Sequence, residues 1–463
     1  MKATPPKPRP RDGEVSLMRY VRLFRRDILS AQPARLYRAW MAEFRTPFFK
    51  SFLVNQPSLV RRVLRDEAQD FPKSTRVSEG LRPLLGNSVF LTNGADWARQ
   101  RRIIDPAFEG GRLKESFPAM RAAADGMIAR MGEGAQEIEE MASYAAADVI
   151  FRTLFSLPIE SGVAARVFAE FRAYQRSQPV VNIAAFIPLP GWMPRFHSRR
   201  TRQSATAIRD LIRALCVERM AAIEAGRAPD DLATKIMTTK DSETGDPFTT
   251  DEMVDQVAIF FLAGHETSAS ALSWALYLLA THPDWQIKVA EEAESLESDA
   301  FSEISKLKIT RDVFREALRL YPPVPMMVRE AGCPATFRER AVPKGAQIVL
   351  SPWHLHRHER LWDNPDGFDP GRWATENGKA CMREAFIPFS AGPRVCTGAG
   401  FAMVEGALLL ARAVQAFEFS PVPGRIPEPQ AHLTVRARDG IWLSLRRRAP
   451  KRLSSGDPRL QIA

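Results

Sequence analysis

Pro388-Phe389-Ser390-Ala391-Gly392-Pro393-Arg394-Val395-Cys396-Thr397-Gly398-Ala399-Gly400 is a Gly/Pro-rich loop that opens an apolar helical run, Phe401-Ala402-Met403 through Leu410. A cysteine at the start of a helix lies near the positive end of the helix dipole and beside free backbone N–H groups. Both favour thiolate over thiol. Gly392 and Gly398 let the backbone approach something flat and let N–H groups point at sulfur. A thiolate so held is a nucleophile or a metal ligand. The nucleophile needs a nearby base, and no histidine lies in the loop.

Upstream, Val257 to Ala280 is long and mostly apolar, as a membrane span would be. It contains His265, Glu266, Thr267, Ser268, Ser270 and Ser273. A carboxylate near the middle of a span is costly in lipid. The stretch is better read as the all-round-buried central helix of a large soluble protein. Its polar cluster then needs partners or chemistry.

Helical periodicity recurs at 95–105, 112–131, 139–156, 162–175, 198–225, 251–280, 284–296 and 309–320. Strand-like pieces are few: Phe52-Leu53-Val54, then 346–350, 433–436 and 441–445. There is no repeat and no linker long enough to separate domains. The expected fold is mainly α with a minor β part: one domain over 15–448, a disordered basic, Pro-rich arm over 1–14, and a flexible tail over 449–463.

The net charge of +11 is compatible with nucleic acid, anionic membrane or an acidic partner. Nucleic-acid binding would want basic residues interleaved with stacking aromatics in a defined module, and none is present. Arginines interrupt the apolar residues of 17–26, so no export signal is expected, and this segment reads as an amphipathic surface helix. Cys216, Cys333, Cys381 and Cys396 form no CxxC pair. A reducing cytoplasm fits them, with the basic helix a candidate for peripheral membrane contact.

FSAGPRVCTG is similar to the haem-thiolate signature of the cytochrome P450 family at each defined position. The resemblance implies a single-domain cytochrome P450 fold with a long central helix over haem b. Cys396 would be the proximal ligand of the iron, Phe389 would shield its sulfur, Gly398 would complete the loop, and Arg394 would reach a haem propionate.

Three further segments resemble the same family. Trp97 and Arg101, four apart on one helix face, are similar to the family's propionate-binding pair; alone they would be an exposed ion pair. Ala263-Gly264-His265-Glu266-Thr267 resembles the oxygen-binding groove. There Gly264 would make room for a ligand, Thr267 would hydrogen-bond oxygen, and Glu266 would relay protons through water. A mid-helix threonine more often bonds back to a carbonyl. His265 reads as structural, because the thiolate already fills the ligand role. Glu316 and Arg319, followed by Tyr321-Pro322-Pro323, resemble the structural Glu–Arg pair, with Arg372 as third member. Gly371 and Trp373 depart from the family's usual residues there. Arg329 resembles a propionate-binding arginine. Alternating His354, His356 and His358 suggest zinc on spacing alone, but match a structural stretch of the family.

The implied activity is a monooxygenase that inserts one oxygen atom from O2 into a lipophilic small molecule. Its electrons would come from a separate ferredoxin or flavodoxin with an NAD(P)H reductase, because too little chain follows Cys396 for a fused reductase. Arg99, Arg102 and Arg394 would form the basic docking side. A monomer is expected. The alternatives are a haem-thiolate sensor and a peroxide-driven peroxygenase; the acid–alcohol pair Glu266-Thr267 counts against both. Family position puts Leu84, Leu85, Val89, Phe90, Phe260, Ala263, Val324, Met326 and Leu433 on the substrate pocket. Val180 to Met193 would be the lid.

Overall fold

In the computed structural model the described residues are 4–449, apart from 12, 14, 46–48, 110, 178–198 and 432. The lid segment Val180 to Met193 therefore lies outside them, as does the tail from 450 onward.

The helix Thr250–Thr281 runs through the middle of the molecule. Its start is set by a capping box. Thr249 Oγ1 accepts from the Glu252 N–H (3.3 Å), and Glu252 Oε2 accepts from the Thr249 N–H (2.8 Å). Residues from Met253 to Ala280 are buried on nearly every side. The helix packs against Ile138–Phe155, Arg199–Glu224, Lys308–Leu320 and Ala399–Ala416. Such a helix is stable only as core, which answers the membrane-span alternative. Among the described residues Ala399–Ala416 is also long and apolar enough to cross a membrane. It packs on Arg112–Arg130, Pro283–Glu294 and the central helix.

The β part frames one edge. A four-stranded sheet has the order Met41–Arg45, Lys50–Val54, Gln347–Leu350, Met327–Glu330. Phe52 pairs in parallel with Ile348, and Val349 antiparallel with Val328. Phe52, Leu53 and Val54 are all buried, as are Ile348 and Leu350, so this part of the sheet is covered on both faces. A second sheet joins Gly134–Glu137, Trp442–Arg447 and Phe417–Pro421, burying Leu443 and Leu445.

The long helices fall within about two residues of the periodicity that predicts them, which is ordinary for helix ends. Thr75–Leu85, with Pro83 inside it, was not predicted; neither were the short helices Leu232–Thr238 and Glu376–Glu384. The strand expected over 433–436 is Val435–Ala437. Within the Pro-rich arm, Pro6, Lys7 and Arg11 make contacts with the body of the protein. The Tyr321 hydroxyl donates to the Pro6 carbonyl (2.8 Å), Lys7 pairs with Asp366, and the Arg11 N–H donates to the Gln32 carbonyl (3.0 Å). Proline holds such a segment extended in advance, so docking it costs little further entropy.

Candidate active site

The cysteine loop is shaped by what lies beneath it. Gly392 has φ +69, and a Cβ there would stand 2.1 Å from the Leu64 carbonyl oxygen. Only glycine allows this backbone conformation and this approach without strain. The Cys396 N–H donates to the Phe389 carbonyl (2.9 Å), folding the loop over. Cys396 is exposed by area although protein surrounds it closely, so its sulfur borders interior space rather than bulk water. Burial pushes its thiol up, and the Gly398 N–H and Arg101 pull it down. The dipole argument alone had predicted net lowering; here desolvation outweighs it.

Cations gather beside the loop. Arg101 pairs with Asp105 (2.9 Å) and donates to the Val395 carbonyl (2.8 Å). Arg394 donates to the Ala68 carbonyl (2.6 Å), while among the described residues its buried Nε has no partner, nor has the buried Arg329 Nε. The Trp97 ring lies 5.3 Å from the Arg394 guanidinium, 6.0 Å from that of Arg101 and 5.7 Å from the Lys73 amine. Burial lowers Lys73 to about 6, with Arg329, Arg394 and Arg101 pushing the same way. Arg329 falls to about 10, from burial and then from Arg394. Partly desolvated like charges held this close favour an anionic occupant. Lys73 was missed in the sequence because nothing around it forms a motif.

Ala263 is exposed in the middle of the otherwise buried central helix. Thr267 Oγ1 donates back to the Ala263 carbonyl (2.6 Å). Its proton is thus engaged as in an ordinary helix, and its lone pairs remain to accept. Gly264 faces elsewhere than expected. A Cβ on it would lie 2.3 Å from Ile150 Cδ1, so it makes room for the Ile138–Phe155 helix and not for a ligand. Glu266 is nearly buried, accepts from the Thr434 hydroxyl (2.8 Å) and pairs with Arg436 (3.2 Å). His265 Nε2 is 2.6 Å from Ser143 Oγ, and burial lowers it to about 3, so it is a neutral structural histidine. Glu405, a carboxyl inside the apolar run after Cys396, was overlooked. Ser268 donates to its Oε2 (2.9 Å), its Oε1 has no partner among the described residues, and burial pushes it to about 8. A lone glutamate between Val404 and Gly406 was the available signal.

Glu316, Arg319 and Arg372 do come together. Glu316 Oε1 accepts from both Arg319 (2.8 Å) and Arg372 (2.8 Å), all three side chains being buried. Each guanidinium spends its remaining N–H groups on carbonyls of 356–367. Trp373 stacks edge-on against Trp362 and beneath Arg315, which accounts for its place here. The zinc alternative fails. His354, His356 and His358 are lowered to about 3, 3 and 4 by burial, and among the described residues no cluster could hold a metal ion.

Of the pocket residues, Phe90 and Leu433 are exposed and Phe260, Val324, Val89 and Met326 half-buried, whereas Leu84 and Leu85 are sealed in the core. Phe260 and Phe401 both contact Phe108, which ties the central helix to the Cys396 helix. Arg99 and Arg102, expected on the basic docking side, are both ion-paired within the chain. Arg99 pairs with Glu252, and Arg102 with Asp241 and Glu243 (3.0 Å). A pocket of about 290 Å³ bordered by Phe117, Arg121, Asp299 and Arg412 contains none of these site residues.

A family model described as Cytochrome P450 matches residues 41–443. Cyclooctat-9-en-7-ol 5-monooxygenase of Streptomyces melanosporofaciens is 32% identical over 394 residues, 83% of this chain and 83% of that protein. Cyclooctatin synthase of the same organism is 30% identical over 395 residues, 83% and 84% respectively. Human cytochrome P450 4A11 is 32% identical over 404 residues, 81% of this chain and 76% of its own length.

Proposed function

The chain belongs to the cytochrome P450 family, and on that premise we propose that the residues around Cys396 and the central helix are its catalytic parts. The enzyme is a monooxygenase with haem b as cofactor. It places one atom of O2 in a lipophilic small molecule; the other leaves as water, consuming two electrons from an external donor and two protons.

The residues fit haem b. Its iron needs one strong ligand, and Cys396 offers an interior-facing sulfur. Its two propionates need cations and N–H donors, and half-buried Lys73, Trp97, Arg101 and Arg394 with buried Arg329 form such a set, in which the Nε atoms of Arg329 and Arg394 have no partner among the described residues. When bound, a thiolate-ligated haem supplies the activation of O2. In this reading Cys396 is the ligand, Phe389 covers the sulfur, and Gly398 presents its N–H to it. Thr267 Oγ1 and the Glu266 carboxyl hold and pass protons on the opposite side. Phe90, Phe260, Ala263, Val324 and Leu433 give the substrate an apolar bed, which favours a terpenoid, fatty acid or steroid-like molecule.

The further reading is a cytoplasmic monomer supplied by a ferredoxin or flavodoxin with its reductase. The net charge of +11 favours an acidic donor. The observation that carries the whole proposal is the Cys396 sulfur beside a cluster of cations drawn out of full solvent.

Its test is electron bookkeeping. A lipophilic compound that perturbs the haem spectrum is first found, then NAD(P)H consumed, peroxide released and product formed are measured together. Thr267→Ala and Glu266→Gln should keep haem content and ligand binding. Both should form less product per electron, at the lower end of the about 100- to 10,000-fold range of general acid help, since water substitutes in part. Unchanged product per electron in both variants would remove the relay role.

A further inference from the structure

The loop between Thr75–Leu85 and Gly94–Ile104 is held by two neighbouring side chains near the start of the central helix. Gly86, at φ +51, lies where a Cβ would stand 2.0 Å from Asp255 Oδ1, so only glycine seats the turn on that carboxylate. The Asn87 N–H donates to Asp255 Oδ2 (2.7 Å), and Arg209 pairs with the other oxygen (2.7 Å). One residue on in the helix, Gln256 Oε1 accepts from the Val89 N–H (2.9 Å). That donor fixes the amide's orientation, because Nε2 cannot accept. Further along, Thr92 donates to Gln100 Oε1 (2.6 Å), and Gln100 Nε2 to the Asn87 carbonyl (2.6 Å). Gln256 Nε2 and Ser88 Oγ are left over. Both residues are fully buried, and neither atom has a partner among the described residues. Buried donors without partners are costly, so this pair calls for an acceptor.

We propose that Gln256 Nε2 and Ser88 Oγ form the polar end of the substrate pocket and bind a neutral oxygen that the lipophilic substrate already carries, a hydroxyl or a ketone. The inference rests on the monooxygenase reading and names its substrate class. Gln256, Phe260, Ala263 and Thr267 follow one another at four, three and four residues, which places them on one stripe of the helix. Along that stripe Ala263 is exposed and Phe260 and Thr267 are half-buried, whereas Gln256 is buried against the loop. The same loop supplies the pocket residues Val89 and Phe90. Helix rise sets the scale: seven residues put Gln256 about 10 Å from Ala263 along the axis, and eleven put it about 16 Å from Thr267. A substrate reaching both ends has its oxygen roughly 10 Å from the carbon that is oxidised. Charge selects among oxygen groups. The nearby cations are committed: Arg209 to Asp255 and the Leu84 carbonyl (3.1 Å), and Lys73 to the Val89 and Thr92 carbonyls beside the Trp97 ring. A carboxylate at this spot would be buried next to the Asp255 carboxylate without a cation of its own, which is unfavourable. The donors suit an alcohol or ketone of terpenoid or steroid type over the free acid of a fatty chain.

The test titrates the haem spectrum of the holoenzyme with matched compounds: androstane with its alcohol and its ketone, and dodecane with dodecanol and dodecanoate. In each set the neutral oxygen compound should bind about 3- to 10-fold tighter than its hydrocarbon, the range of a neutral hydrogen bond. Dodecanoate should bind more weakly than dodecanol. Ser88→Ala leaves the Val89 bond in place, and Gln256→Met keeps the length of the side chain without its donor. Each should cut the preference by about 3-fold or more while haem is retained. Oxidation of the bound alcohol or ketone should fall about 10 Å from its oxygen. A hydrocarbon bound as tightly as its alcohol, a preference retained in both variants, dodecanoate ahead of dodecanol, or no spectral response to any compound would overturn the proposal. The binding arms need no turnover. A preference lost in the variants together with oxidation elsewhere on the molecule would uphold the donor pair and fault the placement of Ala263 and Thr267 at the reacting end.

Discussion

Cys396 differs from the other cysteines in what faces its sulfur. Burial pushes Cys216 to about 12 and Cys381 to about 11, and Cys381 donates to the Leu361 carbonyl. Neither has a reason to ionise. Cys333 is exposed and lies outside the cation cluster. Cys396→Ser should abolish the long-wavelength band of the reduced carbonyl complex, while serine at 216, 333 or 381 should leave it. A retained band in Cys396→Ser would overturn the ligand assignment. At this scale the sequence was also open to misreading. Gly264 sits in a motif that suggests ligand access, yet its missing side chain admits Ile150. A glycine states that space is needed and does not state for whom.

Between elements, the Glu316 pair of arginines fastens the Lys308–Leu320 helix to the 356–373 segment beneath the cysteine loop. All the charges are out of water, so the network holds only while each partner is present. Arg372→Ala should cost about 3–5 kcal/mol of stability, the range for breaking a buried ion pair. Denaturant unfolding of the holoenzyme measures this, and haem should be lost at lower denaturant than in the unmodified enzyme. A cost below about 1 kcal/mol, typical of an exposed pair, would show that the network is not needed. Arg102 carries a related lesson. Its bond to the buried Asp241 makes it a clamp between Gly94–Ile104 and the loop before the central helix. Charge reversal there would disturb the fold before it tested any docking.

For the molecule as a whole, buried carboxyls give stability a pH dependence. Glu405 titrates at about 8 and Glu139 at about 7 in the folded protein, against about 4.3 when unfolded. Between those values the folded state keeps protons that the unfolded state has lost. Stability from these groups is therefore full below about 4.3 and falls as pH rises towards about 8. His265, His354, His356 and His358 act in the opposite sense, losing stability as pH falls below about 6.5. Glu405→Gln keeps the Ser268 contact and cannot ionise. Its melting temperature should drop less than that of the unmodified enzyme between about pH 5 and 8. Parallel melting curves across that range would place the Glu405 proton elsewhere.

By itself the sequence determined the class of fold and pointed to Cys396 and to Trp97, Arg101, Arg329 and Arg394, which the structure brings near one another. Those features are local: a 3.6-residue apolar period, glycines at fixed offsets from a cysteine, and an arginine one turn after a tryptophan. Only the tertiary structure decided which groups share a charge. Lys73 joins Arg101, Arg329 and Arg394, Glu405 meets Ser268, and Arg436 meets Glu266, in each case across long stretches of chain. Short strands such as Gly134–Glu137 and Phe417–Pro421 were equally illegible, because each forms only when Trp442–Arg447 pairs with it. Desolvation belongs to this second group. Whether a thiol, an amine or a carboxyl holds its proton depends on the water removed around it, and burial exists only once the chain has closed.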